Sequence, residues 1–160
     1  MQARTTQVMF YLLQDDGVNA EKSPNGETSK DSLSYHACLQ AAYFYRQTQK
    51  VFIYTENQTA AHHIDEILWA FEPESFVPHN LVGEGSKYGS PVEISWQNPK
   101  DRRSVLINLT DTIPSFAQQF TTIIDFVPTD ETLKQQARER FRACRQLGFN
   151  VDNQPVPQAS

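Results

Sequence analysis

Cysteine is scarce in this chain, and positive charge is scarcer than negative. Only Cys38 and Cys144 occur among 160 residues. Each falls on the apolar side of an expected helix, as small buried hydrophobes do in a reducing compartment. Fourteen Lys and Arg stand against nineteen Asp and Glu, a formal net charge of −5. An acidic body is a poor grip for a nucleic-acid backbone, which rewards a broad basic surface through counterion release. No apolar run approaches the length that spans a membrane. The opening residues Met1-Gln2-Ala3-Arg4-Thr5-Thr6-Gln7 run directly into Val8-Met9-Phe10-Tyr11-Leu12-Leu13, without charged, apolar and cleavage regions in series. A cytoplasmic protein is expected. Hydrophobic residues at 39% and charged residues at 21% suit a globular chain, large enough for one domain with a two- or three-layer core.

Catalytic and cofactor patterns are also missing. The stretch Gly83-Glu84-Gly85-Ser86-Lys87-Tyr88-Gly89 has neither dinucleotide spacing nor a G-K-[ST] ending. It precedes a strand, whereas a phosphate site needs a helix N-terminus. After the first strand, where a nucleotide fold places its glycines, stand Gln14-Asp15-Asp16-Gly17. His62 and His63 are adjacent, so they lack the i, i+3 or i+4 spacing of metal ligands on one helical face. His79 is either a lone base or, with Asn80, a hydrogen-bonding group in a buried turn; no activated nucleophile accompanies it. The expectation is no catalytic residue, no metal and no cofactor.

What is present is an alternation of strands and helices. An apolar strand at 8–13 leads into a long polar loop over 14–30. Asp31 or Ser32 then caps a helix to about 49, with Leu33, Ala37, Ala41 and Phe44 on one face. Val51-Phe52-Ile53-Tyr54-Thr55 reads as a strand, and Asn57 caps a helix over 57–71, stopped at Pro73. This β-α-β-α opening predicts an α/β sheet with parallel neighbours. The 92–96 and 104–109 segments, flanking Asn98, Pro99 and Lys100, read as an antiparallel hairpin. A short helix over 115–120 and a buried strand over 121–127 follow. A last helix covers 133–147, capped by Thr129 or Asp130 and stopped by Gly148. The domain is expected to span 1–150, with 151–160 a disordered tail. No internal repeat is present.

Two features stand out. The window 134–145 holds five basic residues and one acid, net +4, which leaves −9 on the rest of the chain. At about 100° per residue, Lys134, Arg138 and Arg145 lie within roughly 40° of one another. Arg142 runs along the same side, and Phe141 borders the stripe next to the core residues Leu133, Ala137 and Cys144. Such a surface is either a solvated helix face or a seat for an acidic, partly apolar peptide. Arg140 falls on the apolar side, with an ion pair its one evident account. Trp69 is the second feature, lying about 160° from the centre of the core face formed by Ala60, Ile64, Ile67, Leu68 and Phe71. Either another layer covers it or it is an interface anchor, a patch that Phe76 extends.

Several motifs carry a family resemblance. Leu68-Trp69-Ala70, Glu74-Ser75-Phe76-Val77-Pro78-His79-Asn80-Leu81, Gly83-Glu84-Gly85 and Pro91-Val92-Glu93-Ile94 with Trp96 resemble the chi-subunit family of bacterial DNA polymerase III. So do Asp125-Phe126-Val127-Pro128, Leu133-Lys134-Gln135, Ala137-Arg138-Glu139-Arg140 and Gly148-Phe149-Asn150. The resemblance covers nearly all of 8–151, while the 14–30 loop is longer than the family form. It implies a three-layer α/β/α fold with a mostly parallel central sheet, akin to nucleotide-binding folds without a nucleotide site. It also implies no intrinsic catalysis, within a DNA-directed DNA polymerase holoenzyme. The implied partners are the psi subunit, which tethers chi to the clamp loader, and the acidic C-terminal tail of single-stranded DNA-binding protein, on a distinct surface. Nucleic acid is then met only indirectly.

Matched motif by motif, Trp69 and Phe76 fall on the psi-facing surface. Val127, Lys134, Arg138 and Phe141 fall in the tail-binding site, where Phe141 replaces the family's tyrosine. Arg142 and Arg145 are added to that site from the helix geometry alone. The competing reading is an α/β enzyme acting on nucleotides or phosphoesters through His79.

Overall fold

The computed structural model describes residues 5–13, 29–69, 78–81, 91–100 and 102–156. In chain order the elements are β1 (Gln7–Leu12), α1 (Ser29–Arg46), β2 (Val51–Tyr54), α2 (Gln58–Trp69), β3 (His79–Leu81), β4 (Val92–Ser95), β5 (Val105–Asn108), a 3-10 turn (Ala117–Gln119), β6 (Thr122–Val127), α3 (Glu131–Gln146) and β7 (Asn150–Pro155). The strands form one sheet in the order β3-β4-β2-β5-β6-β1-β7. Every neighbouring pair runs parallel.

A parallel sheet buries both faces, so its central strands are apolar without interruption. Val51 and Ile53 of β2, Val105 and Ile107 of β5, and Ile124 and Phe126 of β6 point to one side. There they pack with Ala37, Cys38, Ala41 and Ala42 of α1 and Ala61, Ile64 and Leu68 of α2. The alternate residues Phe52, Leu106 and Ile123, with Val8 and Phe10 of β1, point to the other side and meet Cys144 of α3, Phe116 and Phe120. The result is the expected α/β/α sandwich, with α1 and α2 on one face and α3 on the other.

The antiparallel hairpin expected from 92–96 and 104–109 does not form. β4 and β5 flank β2 on opposite edges, so that Val51 pairs with both Val92 and Val105. Since β4 and β5 run in the same direction, the connection between them returns along the sheet past β2. Arg103 secures that return. It is buried, and its Nη1 donates to the carbonyl oxygens of Val51 at 3.2 Å and Pro91 at 2.9 Å, tying the starts of two strands to the segment that leads into β5.

The expected disordered tail is also corrected. Residues 150–155 form β7, an edge strand paired in parallel with β1. The Asn150 N–H donates to Thr6 O at 2.9 Å and the Val156 N–H to Leu12 O at 3.1 Å. Alternation turns position 155 outward, where a proline without an N–H leaves no ladder bond unmade. Residues 157–160 and 14–28 lie outside the described residues, while Ser29 and Lys30, expected in the loop, begin α1. His79 and Asn80 belong to β3 rather than to a turn.

α1 and α3 end in the same geometry. After α3, Gly148 takes φ 84°, the Gly148 N–H donates to Arg145 O at 3.0 Å and the Phe149 N–H to Cys144 O at 3.1 Å. These two bonds close a Schellman motif. After α1 the equivalent bonds run from Thr48 N–H to Tyr45 O at 2.9 Å and from Gln49 N–H to Phe44 O at 3.0 Å. The left-handed position is here a threonine with φ 59°, a conformation unfavourable for a β-branched side chain. Thr48 is exposed, so Thr48→Gly removes the strain without opening a void. It is expected to raise the urea-unfolding free energy by about 0.5–1 kcal/mol; a lowered midpoint would show that the Thr48 hydroxyl, 2.6 Å from Gln47 O, outweighs the strain.

Candidate functional site

α3 begins where Asp130 Oδ2 accepts the Leu133 N–H at 3.0 Å, an N-cap that also favours the helix dipole. Its inward face carries Ala137, Arg140 and Cys144. Arg140 is the unusual member, a guanidinium 7% exposed. Its Nε donates to Asp125 Oδ2 at 2.9 Å and its Nη2 to Asp125 Oδ1 at 3.1 Å. Nη2 also reaches Phe126 O at 3.1 Å, and Nη1 reaches Asp111 O at 3.3 Å. Asp125 in turn accepts the Phe126 N–H at 2.7 Å and the Asn108 side-chain amide at 3.4 Å. Burial pushes the Asp125 carboxyl up, while Arg140, the Phe126 N–H and Asn108 draw it back toward ionisation. Burial also pushes the Cys144 thiol up to about 12, which leaves it a poor nucleophile.

With Arg140 turned inward, the other cations face out. Arg138, Arg142 and Arg145 are exposed and Lys134 is half-buried. Three of the four have exposed neighbours on the same helix as partners. Lys134 Nζ is 3.6 Å from Glu131 Oε1 and Arg142 Nη1 is 3.2 Å from Glu139 Oε1. Arg138 Nη1 donates to Gln135 Oε1 at 3.3 Å. Such surface pairs contribute about 0–1 kcal/mol each and exchange readily for an incoming carboxylate. Phe141 lies one turn from both Arg138 and Arg145. Its ring packs on Phe10 at 5.2 Å, and Phe141 and Val127 are both partly buried against the core on this side of the sheet. α3 therefore presents a cationic stripe with an aromatic edge.

Trp69 closes α2 on the opposite face of the sheet and is 61% exposed. It points outward, as its spacing predicts. The buried His79 ring stands 5.0 Å from the indole in an edge arrangement, and its Nε2 lies 3.1 Å from Asp65 Oδ1. Phe76 and the Gly83-to-Gly89 stretch lie outside the described residues.

The carboxyl ends of the central strands border a crevice of about 900 Å³, lined among others by Thr55, Asn57, His63, Asn108, Asp111 and Arg140. This is where α/β folds of this kind take ligands. Two of the N–H groups at its edge are already engaged, however. Asn57 Oδ1 accepts the Ala60 N–H of α2 at 2.9 Å, and Glu56 Oε1 accepts the Asp111 N–H at 2.8 Å. A capped helix end beside two acids does not suit a phosphate. Among the described residues, no group of three or more His, Cys, Asp or Glu is arranged to hold a metal, and no helix is long and apolar enough to cross a membrane.

Sequence reasoning left Arg140 to an ion pair but missed its partner, Asp125. The signal was there in two parts, a base on an apolar helix face and an acid inside an apolar strand, each of which answers the other.

Comparison with known proteins completes the description. The family described as "DNA polymerase III chi subunit, HolC" matches residues 5–152. The DNA polymerase III subunit chi of Haemophilus influenzae is 48% identical over 122 residues, 75% of this chain and 85% of that protein. The subunit of the same name from Escherichia coli strain K12 is 43% identical over 145 residues, 89% of this chain and 93% of that protein. Among solved structures, the crystal structure of T4 UvsW aligns with a TM-score of 0.54 at 11% identity, covering 95% of this chain and 41% of that one. That likeness concerns the fold alone.

Removing Arg140 strands a buried carboxylate. Arg140→Ala is expected to lower the unfolding free energy by about 3–5 kcal/mol, as measured by urea denaturation. Replacing both partners, as Asp125→Leu with Arg140→Met, is expected to recover most of that loss. A double variant no more stable than the single one would show that the pair's bonds to Phe126, Asp111 and Asn108 matter more than its charge balance.

Proposed function

The chain belongs to the family of DNA polymerase III chi subunits, and from that premise we propose that it is a non-catalytic adaptor with two partner surfaces. Family membership makes it an accessory component of the polymerase holoenzyme, with a role in DNA replication. On the proposed reading, α3 binds the acidic C-terminal tail of single-stranded DNA-binding protein, and the Trp69 end of α2 binds the psi subunit, which links the chain to the clamp loader. The protein then works in the cytoplasm at the replisome and reaches DNA through its partners.

The observation that carries the reading is the outward cationic stripe on an otherwise acidic chain. Lys134 and Arg138 supply the charges for the tail's acids and terminal carboxylate, with Arg142 and Arg145 extending the field. Val127 and Phe141 supply the apolar wall. Phe141 keeps the ring of the family's tyrosine and drops its hydroxyl. For the second surface, support comes from the exposure of Trp69, a residue type favoured as an interface anchor, which Phe76 would extend. The capped start of α2 and the acids Glu56 and Asp111 beside the crevice weigh against an enzyme acting on nucleotides or phosphoesters.

A peptide copying the tail of the host's single-stranded DNA-binding protein, titrated by fluorescence anisotropy, is expected to bind saturably and more weakly as salt rises. Arg138→Ala should weaken it at least about tenfold, the scale of a lost charge-assisted bond to a carboxylate, with no change in melting temperature. Retained affinity in the folded variant would move the site off α3. Trp69→Ala is expected to weaken binding to purified psi subunit and leave tail affinity alone; parallel loss of both would point to a shared surface.

A further inference from the structure

Between Lys134 and Arg145 the chain has one acid, Glu139, and two side chains close on the same oxygen of it. Glu139 Oε1 accepts from Arg142 Nη1 at 3.2 Å and from Gln135 Nε2 at 3.2 Å. Gln135 Oε1 in turn accepts from Arg138 Nη1 at 3.3 Å. A carboxylate only accepts and a guanidinium only donates, so the amide between them has one workable orientation. The four exposed side chains form a single line of bonds on α3, from Arg138 through Gln135 and Glu139 to Arg142.

That line leads away from the aromatic edge. With Phe141 as origin and about 100° per residue, Lys134 lies at about 20°, Arg145 at about 40° and Arg138 at about 60°. Arg142 follows at about 100°, Gln135 at about 120° and Glu139 at about 160°. The contacts with Glu139 therefore turn Arg142, and through Gln135 also Arg138, toward the side of the helix remote from Phe141. An acidic segment that packs an apolar side chain on Phe141 needs both guanidinium groups turned the other way.

We infer that Glu139 is an intramolecular competitor for the acidic partner of α3, lowering its affinity by engaging Arg138 and Arg142 in contacts that the partner's carboxylates must break. The competition rests on the tail-binding role proposed above; the line of bonds does not. One carboxylate serves two arginines here, whereas Glu131 engages Lys134 alone, at 3.6 Å. Among the described residues Arg145 has no acid partner and needs no release.

The tail peptide of single-stranded DNA-binding protein is titrated at about 0.15 M salt, which screens the general field of the surface. Glu139→Gln keeps the side chain's length and removes its charge. Affinity is expected to rise about two- to fivefold, the range that a surface pair contributes. A residue that only supported the helix through its i, i+3 pair would instead lower the melting temperature and leave affinity unchanged or reduced. The same substitution is then made in a Gln135→Ala, Arg142→Ala background, where the line is already cut. There it is expected to change affinity by less than about 1.5-fold. An equal gain in that background would assign the effect to bulk charge and overturn the competition, as would unchanged affinity in folded Glu139→Gln. If Arg138→Ala weakens the peptide while Glu139→Gln has no effect, the tail site stands and the competitor falls. A peptide that binds neither the unaltered protein nor Glu139→Gln overturns both.

Discussion

The buried contact between Arg140 and Asp125 decides which way α3 faces. The helix has five cations within three turns, and its fully buried apolar residues, Ala137 and Cys144, are small. Contacts of that size specify rotation about the helix axis weakly. A guanidinium making two bonds to one carboxylate, with further bonds to the Phe126 and Asp111 carbonyls, specifies it strongly. The same carboxylate is held by Asn108 of β5, so one network joins α3 to two strands and to the connection between them. A buried ion pair is weak support for stability in itself and better suited to selecting one geometry. Here the geometry selected leaves Lys134, Arg138, Arg142 and Arg145 on the outside.

The sheet sets the second constraint. Because it is parallel and covered on both faces, the helices divide between two layers, α1 and α2 on one side and α3 on the other. Trp69 and the cationic stripe therefore belong to opposite layers, with a sheet of closely packed aliphatic and aromatic side chains between them. Two surfaces so placed do not compete for space. That arrangement suits the proposed adaptor role, while the crevice at the strand ends, the usual ligand site of such folds, has the Ala60 and Asp111 N–H groups engaged.

Much of this was legible in the residues. The β-branched and aromatic runs at 8–13, 51–55 and 121–127 are strands, the caps Asn57 and Asp130 begin their helices, and Gly148 ends the last one. The stripe and the outward Trp69 follow from 100° per residue alone. What failed did so for identifiable reasons. Parallel pairing leaves no mark on the sequence between partners, so β4 and β5, close in the chain, look like a hairpin although β2 lies between them. β7 is Asn-Val-Asp-Asn-Gln-Pro, a polar edge strand whose stability comes from the backbone of β1 rather than from apolar alternation. β3 is three residues long, too short for any period to emerge. Arg140 and Asp125 are separated by fifteen positions and declare themselves only as two misplaced charges.

The exposed cations also bear on how strongly such a surface should bind. Three of them are already near a neighbour, Lys134 near Glu131, Arg138 near Gln135 and Arg142 near Glu139. A partner's carboxylates must displace these contacts, so the net gain per pair is small, and salt reduces it further. A single tail held on α3 is then held loosely. In the proposed role that weakness is useful. Several tails presented together raise the local concentration, and a second attachment through α2 makes rebinding intramolecular. The complex then persists through many brief contacts, each of which can be released and remade as the coated strand moves, something a tightly buried charge pair would not permit. Helix α3 thus uses its arginines in two ways, Arg140 buried to fix the helix and Arg138, Arg142 and Arg145 exposed so that they remain exchangeable.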